Sequence, residues 1–225
     1  MGIFYSITII LSWIIHLVFI LQYQAVDISD ISLWLHILLQ TWLSTGLFIT
    51  AHDAMHNTVS ANAKINKTIG YISTFLFAGM LYSNLNKKHQ LHHLFPGTAN
   101  DPDYKTGNQN FFFWWFSFMK QYITLWQIII MAVIFNILLL KFSELKLLML
   151  WILPSILATF QLFYFGTFRP HRLPHLAFMQ PHNSRSQKRN HPWALISCYF
   201  FGYHSEHHAS PKTPWWKLYQ LKMKE

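Results

Sequence analysis

At 225 residues the chain suits one domain, and a composition that is 52% hydrophobic with only 11% charged residues excludes an ordinary soluble enzyme and points to the membrane class. The formal charge of +9, from 17 Lys and Arg against 8 Asp and Glu, marks the cytoplasmic face of a membrane protein more readily than a nucleic-acid partner, and no nucleic acid is expected. The single Cys198 excludes an internal disulfide and any cysteine-rich zinc or iron–sulfur centre, and reads as a small buried apolar residue.

The start, Met-Gly-Ile-Phe-Tyr, has no positive n-region, so the first apolar run reads as a retained anchor rather than a signal peptide. Residues 3–21 are uncharged and close to the ~20 residues that a helix needs to cross the hydrocarbon core. A second run, about 31–51, leads into the first histidine cluster and closes a helical hairpin. The stretch Thr68 to Tyr82 is too short to cross and is expected to be a re-entrant or interface-lying helix. The run Phe111-Phe-Phe-Trp-Trp-Phe116 reads as an aromatic belt where a third span, about 122–140, enters the membrane. A fourth span, about 147–168, completes a second hairpin. Beyond it, Pro170, Pro174, Pro181 and Pro192 break regular helix and give a cap of short helical pieces over about 169–225. The expected fold is therefore all-α and integral to the membrane: four transmembrane helices in two hairpins, a re-entrant or interfacial helix, and a histidine-rich helical cap. If both hairpins enter from one side, only Lys141 and Lys146 fall in the opposite loop, and the positive-inside rule places both termini and all histidine clusters in the cytoplasm.

Three clusters carry the chemistry: His52 and His56; His89, His92 and His93; His204, His207 and His208. Helical residues three or four apart share a face, and imidazole is a common transition-metal ligand. Eight imidazoles exceed the four protein ligands of a structural zinc site, so two metals are the economical reading. Imidazole suits Zn, Cu, Fe and Ni alike, and ligand type alone does not choose among them. The acids Asp53, Asp101, Asp103 and Glu206 lie beside the clusters, where a carboxylate either accepts the second ring N–H of a ligand histidine or serves as a surface ion pair or cap. His16 and His36 sit within spans without a histidine at helical spacing and are expected to hydrogen-bond between helices.

The histidine boxes resemble those of the integral-membrane fatty-acid desaturase and hydroxylase superfamily. Within it, His52-Asp-Ala-Met-His56, His89-Gln-Leu-His-His-Leu-Phe-Pro-Gly-Thr98 with Asp101-Pro-Asp-Tyr104, Phe165-Gly-Thr-Phe-Arg-Pro-His-Arg172, Asn183-Ser-Arg-Ser186 and Phe201-Gly-Tyr-His-Ser-Glu-His-His208 look like the bacterial β-carotene ketolase family, from about His52 to Trp216. The resemblance implies one membrane-bound di-iron oxygenase domain over residues 1–225, with the eight box histidines as ligands of two non-haem irons and O2 as co-substrate. It also implies a ninth ligand after the last span, for which His171 is the best placed, ahead of His175, His182 and His191. The implied reaction is two successive hydroxylations of the ring C4 methylene, then loss of water to a ketone, giving echinenone and canthaxanthin from β-carotene held in membrane lipid. Electrons would come from an external, ferredoxin-type donor that a basic face suits. A carotenoid hydroxylase or acyl-lipid desaturase of the same superfamily shares the boxes. The alternative of another class is a non-catalytic membrane metal-binding protein or transporter, although a transporter would more naturally place its ligands near the bilayer midplane, and a haem bundle would leave most of the histidines unexplained.

Overall fold

The computed structural model describes residues 1–223, and among them all regular structure is helical. Helix α1 (Gly2–Tyr23) spans 22 residues, about 33 Å at 1.5 Å per residue, enough to cross a bilayer. Its buried face is Ser6, Ile9, Trp13 and Ile20, while Phe4, Ile7, Leu11, Ile15 and Val18 form an exposed apolar stripe of the kind that only lipid satisfies. Helix α2 (Ile31–Met55) starts at Asp30, whose carboxylate accepts from Ser32 N, and is the centre of the molecule. It packs against α1, against α3 (Ala63–Ala78) and against the long helix described below. Polar groups on the α1–α2 seam pair with each other: Trp13 Nε1 donates to Ser44 at 3.0 Å, and His16 meets Gln40 at 2.6 Å and His36 at 3.1 Å, the interhelical bonding expected of those two histidines.

Helix α3 ends at Gly79, whose left-handed backbone (φ 64°) turns the chain into α4 (Tyr82–Leu94). The expected third span, about 122–140, is one helix over most of its length, but the aromatic run before it is not a simple belt. The aromatic run is itself helical, α5 (Phe111–Tyr122), and meets α6 (Leu125–Leu139) at 90°. The break has a local cause: Ile123 and Thr124 are extended, and the Thr124 hydroxyl accepts from Gln127 N to start a new helix. At 15 residues α6 alone is about 22 Å long, short of the ~30 Å hydrocarbon core, so the bent pair makes one candidate crossing only when taken together.

Helix α7 (Glu144–His171) is a continuous 28-residue span, longer at both ends than expected. Pro170 does not break it, nor does Pro154. A proline ring clashes with the carbonyl four residues back, here Leu150 and Gly166, and lacks the N–H that would bond it. Both carbonyls lie inside wide π turns, Leu148–Ile152 and Tyr164–Phe168, each ending two residues before its proline. The wider turn opens the helix where the ring needs room, and the helix carries on to His171. Gly166 is required in the second turn: a Cβ there would lie 2.3 Å from the Phe201 ring.

The remaining cap contains α8 (His191–Cys198), α9 (His204–Ala209) and α10 (Leu218–Lys222). Pro192 opens α8 rather than breaking helix there, because its missing N–H is one the first turn leaves unbonded anyway. Between α8 and α9, Tyr199 and Phe200 take positive φ and fold the chain back. The Tyr199 ring stacks on Trp42 at 4.3 Å and its hydroxyl donates to the Trp42 carbonyl, pinning the cap to α2. Two contacts fix the relative direction of the hairpins. Lys146 Nζ at the start of α7 donates to the Leu21 carbonyl at the end of α1, whereas Gly2 lies against Val59, just past α2. The N-terminus, the end of α2 and the end of α7 therefore share one end of the molecule.

Candidate metal centre

Four elements deliver imidazoles to that end: α2 brings His52 and His56, α4 brings His89, His92 and His93, α7 brings His171, and α9 brings His204, His207 and His208. The loop after α4 adds Asp101 and Asp103. The nine histidines do not form one cluster. The ligand nitrogens of His52, His56, His89, His93 and His207 lie within 4.8 Å of one another, and those of His92, His171, His204 and His208 form a second set.

The division follows helical geometry. Residues four apart stay together: His52 with His56, His89 with His93, His204 with His208. Neighbours in sequence point about 100° apart and separate, so His92 leaves His93 for the second group and His207 leaves His208 for the first. Each of α4 and α9 thus contributes to both groups. His171, at the last turn of α7 and fully buried, completes the second group.

Within the groups the Nε2 atoms converge. His56 and His89 are 2.7 Å apart, His52 and His207 3.1 Å, and His93 and His207 3.0 Å. In the second group the chain His171, His204, His208, His92 runs at 3.0, 3.0 and 3.1 Å. Nitrogens bound side by side on one ion at about 2.1 Å lie roughly 3 Å apart, so the spacing fits a shared cation. Proton accounting points the same way. His171 Nδ1 faces the Asn183 carbonyl at 3.0 Å and His92 Nδ1 faces Asp101 Oδ2 at 2.9 Å. Both partners only accept, so both Nδ1 atoms carry the proton and both Nε2 atoms present lone pairs inward. His204 and His208 could each donate to one of those lone pairs, but their own Nε2 hydrogens would then collide across 3.0 Å, and their buried Nδ1 atoms have no partner. A cation resolves this conflict and a hydrogen-bond pattern does not.

Electrostatics agree. Burial first, then the neighbouring imidazoles, hold His89, His204, His207 and His208 well below the usual histidine range. They are neutral near pH 7, the form that binds metal. For His92 burial acts against the charge, but Asp101 and Asp103 outweigh it and raise the group. Burial pushes the Asp103 carboxyl up to about 6.

The four acids have different surroundings. Asp101 holds His92 and also accepts from Gly97 N at 2.9 Å. Asp103 is 3.9 Å from His92 and accepts from the Tyr122 hydroxyl. Asp53 accepts from Trp215 N at 3.1 Å, with His52 Nδ1 3.7 Å away. Glu206 is bonded to Ser186 and to Lys222 at 2.7 Å, tying α9 to the cap rather than to an imidazole. Of the other cap histidines, His175 bonds the His171 carbonyl, His191 bonds Tyr203, and His182 stacks on His208 at 5.6 Å. Tyr122, Asn183 and Ser186 were not expected to touch the site. Asn183 and Ser186 belong to a motif already singled out, whereas Tyr122 carried no signal beyond its place at the start of an apolar run.

Against both groups lies an apolar channel, partly open to the outside. Phe48, Phe77, Met80, Leu85, Phe118 and Leu162 supply its sides, and His52, His89, His92 and His204 its floor.

A fatty acid desaturase family model matches residues 31–129 and 111–225. A β-carotene ketolase of a Paracoccus species is 38% identical over 216 residues, 93% of this chain and 87% of that protein. A β-carotene ketolase of another Paracoccus strain is 40% identical over 79% of this chain and 74% of its own length, and a zeaxanthin 4-ketolase of Chlamydomonas reinhardtii is 40% identical over 79% of this chain and 41% of its own length. No solved structure matches the chain.

Proposed function

Because the chain belongs to the fatty acid desaturase family and groups within it with β-carotene ketolases, we propose that it is a membrane-embedded carotenoid 4-ketolase. The observation that carries the reading is the channel: an apolar bore between membrane helices ends on histidines from both groups. A long hydrocarbon with a bulky end ring dissolves only in the bilayer, and such a bore is the shape that brings its ring to a buried polar floor.

His52, His56, His89, His93 and His207 would hold one non-haem iron, and His92, His171, His204 and His208 a second. The chemistry such a pair supplies when bound is O2 activation with electrons from an external donor. The chain contributes position and exclusion. Phe48, Phe77 and Leu162 line the channel and would keep water from a ring brought against His52, His89, His92 and His204. Asp101 and the Asn183 carbonyl fix the tautomers of His92 and His171. Each hydroxylation consumes one O2, two electrons and two protons and yields one water; two at the same carbon give a gem-diol, which loses water to the ketone.

The protein is an integral membrane protein, and the positive-inside rule supports placing the site and the N-terminus at the cytoplasmic face, where basic residues suit an acidic, ferredoxin-type donor. Expression in a bacterial host that makes β-carotene tests the function. Echinenone and canthaxanthin, identified by absorption and mass, are expected. Accumulation of 3-hydroxy products alone, or unchanged carotenoid with altered lipid unsaturation, would move the chain to another activity of the superfamily.

A further inference from the structure

We propose that Gln127 recognises a hydroxyl group on the end ring of the substrate, an inference that rests on the carotenoid ketolase reading and adds to it the chemistry the channel selects. Helix α6 is the starting point. Its sequence, Leu-Trp-Gln-Ile-Ile-Ile-Met-Ala-Val-Ile-Phe-Asn-Ile-Leu-Leu, is almost wholly apolar, yet its one buried residue is the glutamine. Trp126 and Ile128 on either side are 67% and 54% exposed while Gln127 is 9% exposed. In a membrane helix the isoleucines face lipid and the lone amide turns inward, where it needs a polar partner.

The amide faces the channel, and its Oε1 is buried without a hydrogen-bond partner. Two neighbouring polar groups on the channel wall are engaged. The Tyr122 hydroxyl is bonded to Asp103, and the Thr159 hydroxyl lies between the Ile156 carbonyl at 2.7 Å and Trp115 Nε1 at 3.2 Å. The backbone holds Gln127 in place, since its N–H is bonded to the Thr124 hydroxyl at the 90° bend. An unpaired amide oxygen in an apolar bore is costly, and a donor from the ligand removes the cost. A bare hydrocarbon ring offers no donor, whereas a ring hydroxyl does. That hydroxyl has two possible sources: C3 of a substrate hydroxylated before ketolation, or C4 after the first of the two hydroxylations, when the intermediate must be retained for the second.

The test compares the chain with Gln127→Met, which keeps the volume and removes the acceptor. Iron-loaded, detergent-purified protein, kept anaerobic and without reductant, is equilibrated with equimolar β-carotene and zeaxanthin, and the retained pigments are measured by chromatography. In parallel, both proteins are expressed in a β-carotene-producing host and the ratio of 4-hydroxy to 4-keto products is determined. A three- to tenfold fall in the retained zeaxanthin to β-carotene ratio, the size of one neutral hydrogen bond, supports recognition at C3. An unchanged retention ratio with a severalfold rise in released 4-hydroxy product supports recognition at C4. No change in either quantity overturns the inference. Should Gln127→Met not accumulate, Gln127→Asn withdraws the amide by one methylene, and the same shifts, of at least twofold, are expected of it, with their absence overturning the inference. Lack of any ketone from the unaltered chain would fail the ketolase reading instead, and the retention ratio would still decide for or against Gln127.

Discussion

Replacing Asp101 with asparagine removes one negative oxygen from the centre of the second histidine group at nearly constant shape. In the structure three donors meet this carboxylate: His92 Nδ1 and Gly97 N each at 2.9 Å on Oδ2, and Asp103 N at 2.8 Å on Oδ1. An amide has one oxygen for them, and its NH2 must face a donor. If it faces His92, the imidazole relieves the conflict by moving its proton to Nε2, the nitrogen that points at His208. One of four inward lone pairs is then lost or must be restored at a cost. Losing the carboxylate partner of a ligand histidine lowers metal affinity by about 10- to 100-fold, or roughly 1.4–2.7 kcal/mol. Asp53→Asn is the matched control, because its carboxylate is bonded to Trp215 N and lies 3.7 Å from His52 Nδ1, too far for a hydrogen bond. Chelator competition on both variants in nanodiscs, with circular dichroism confirming equal helix content, measures the difference. Iron retention in Asp101→Asn equal to the unaltered chain, or equal losses in both variants, would refute the reasoning.

His171→Ala removes the second group's only contribution from α7; about one iron per chain is expected to remain and turnover to fall at least 100-fold, while His175→Ala, whose ring bonds a backbone carbonyl, keeps both ions by elemental analysis. Gly166→Ala drives a methyl group toward the Phe201 ring, which itself touches the His52 and His204 rings at 4.8 and 5.1 Å between centroids, and should cost about 1–3 kcal/mol, read as a lower Tm. The metal-free chain should lose stability as pH falls below about 6.5. The histidines His89, His204, His207 and His208 have folded values below the unfolded one, so the unfolded state binds more protons there, and each contributes up to ~1.4 kcal/mol per pH unit. A Tm that is flat between pH 7.5 and 5 would contradict the neutral assignment.

The membrane class, the helical hairpins and the histidine pairs were legible because each depends on local pattern: a run of apolar residues, or a spacing of four on one helix. What was hidden depends on how distant segments cross. Which group His92 and His93 join is decided by where α4 meets α9, whose histidines His208 and His207 are 116 and 114 residues away. Likewise nothing in the apolar pattern showed that the aromatic run is itself a helix set at 90° to the span that follows, although Thr124 is a recognisable helix start. The prolines misled in the opposite sense. Pro170 reads as a stop, but a π turn that no composition signal announces lets α7 continue through it, and the same extension carries His171 into the buried cluster. The inward turn of Gln127 had a signal in the sequence, a lone amide in an apolar helix, whose meaning required the channel.

The central claim is that nine histidines form two metal groups that act together on one substrate. Titrating iron into the metal-free chain while following ketone formation from β-carotene tests it directly. Product formation should require two irons per chain, with little activity at one. Full activity at one iron per chain, or without iron, would contradict the claim.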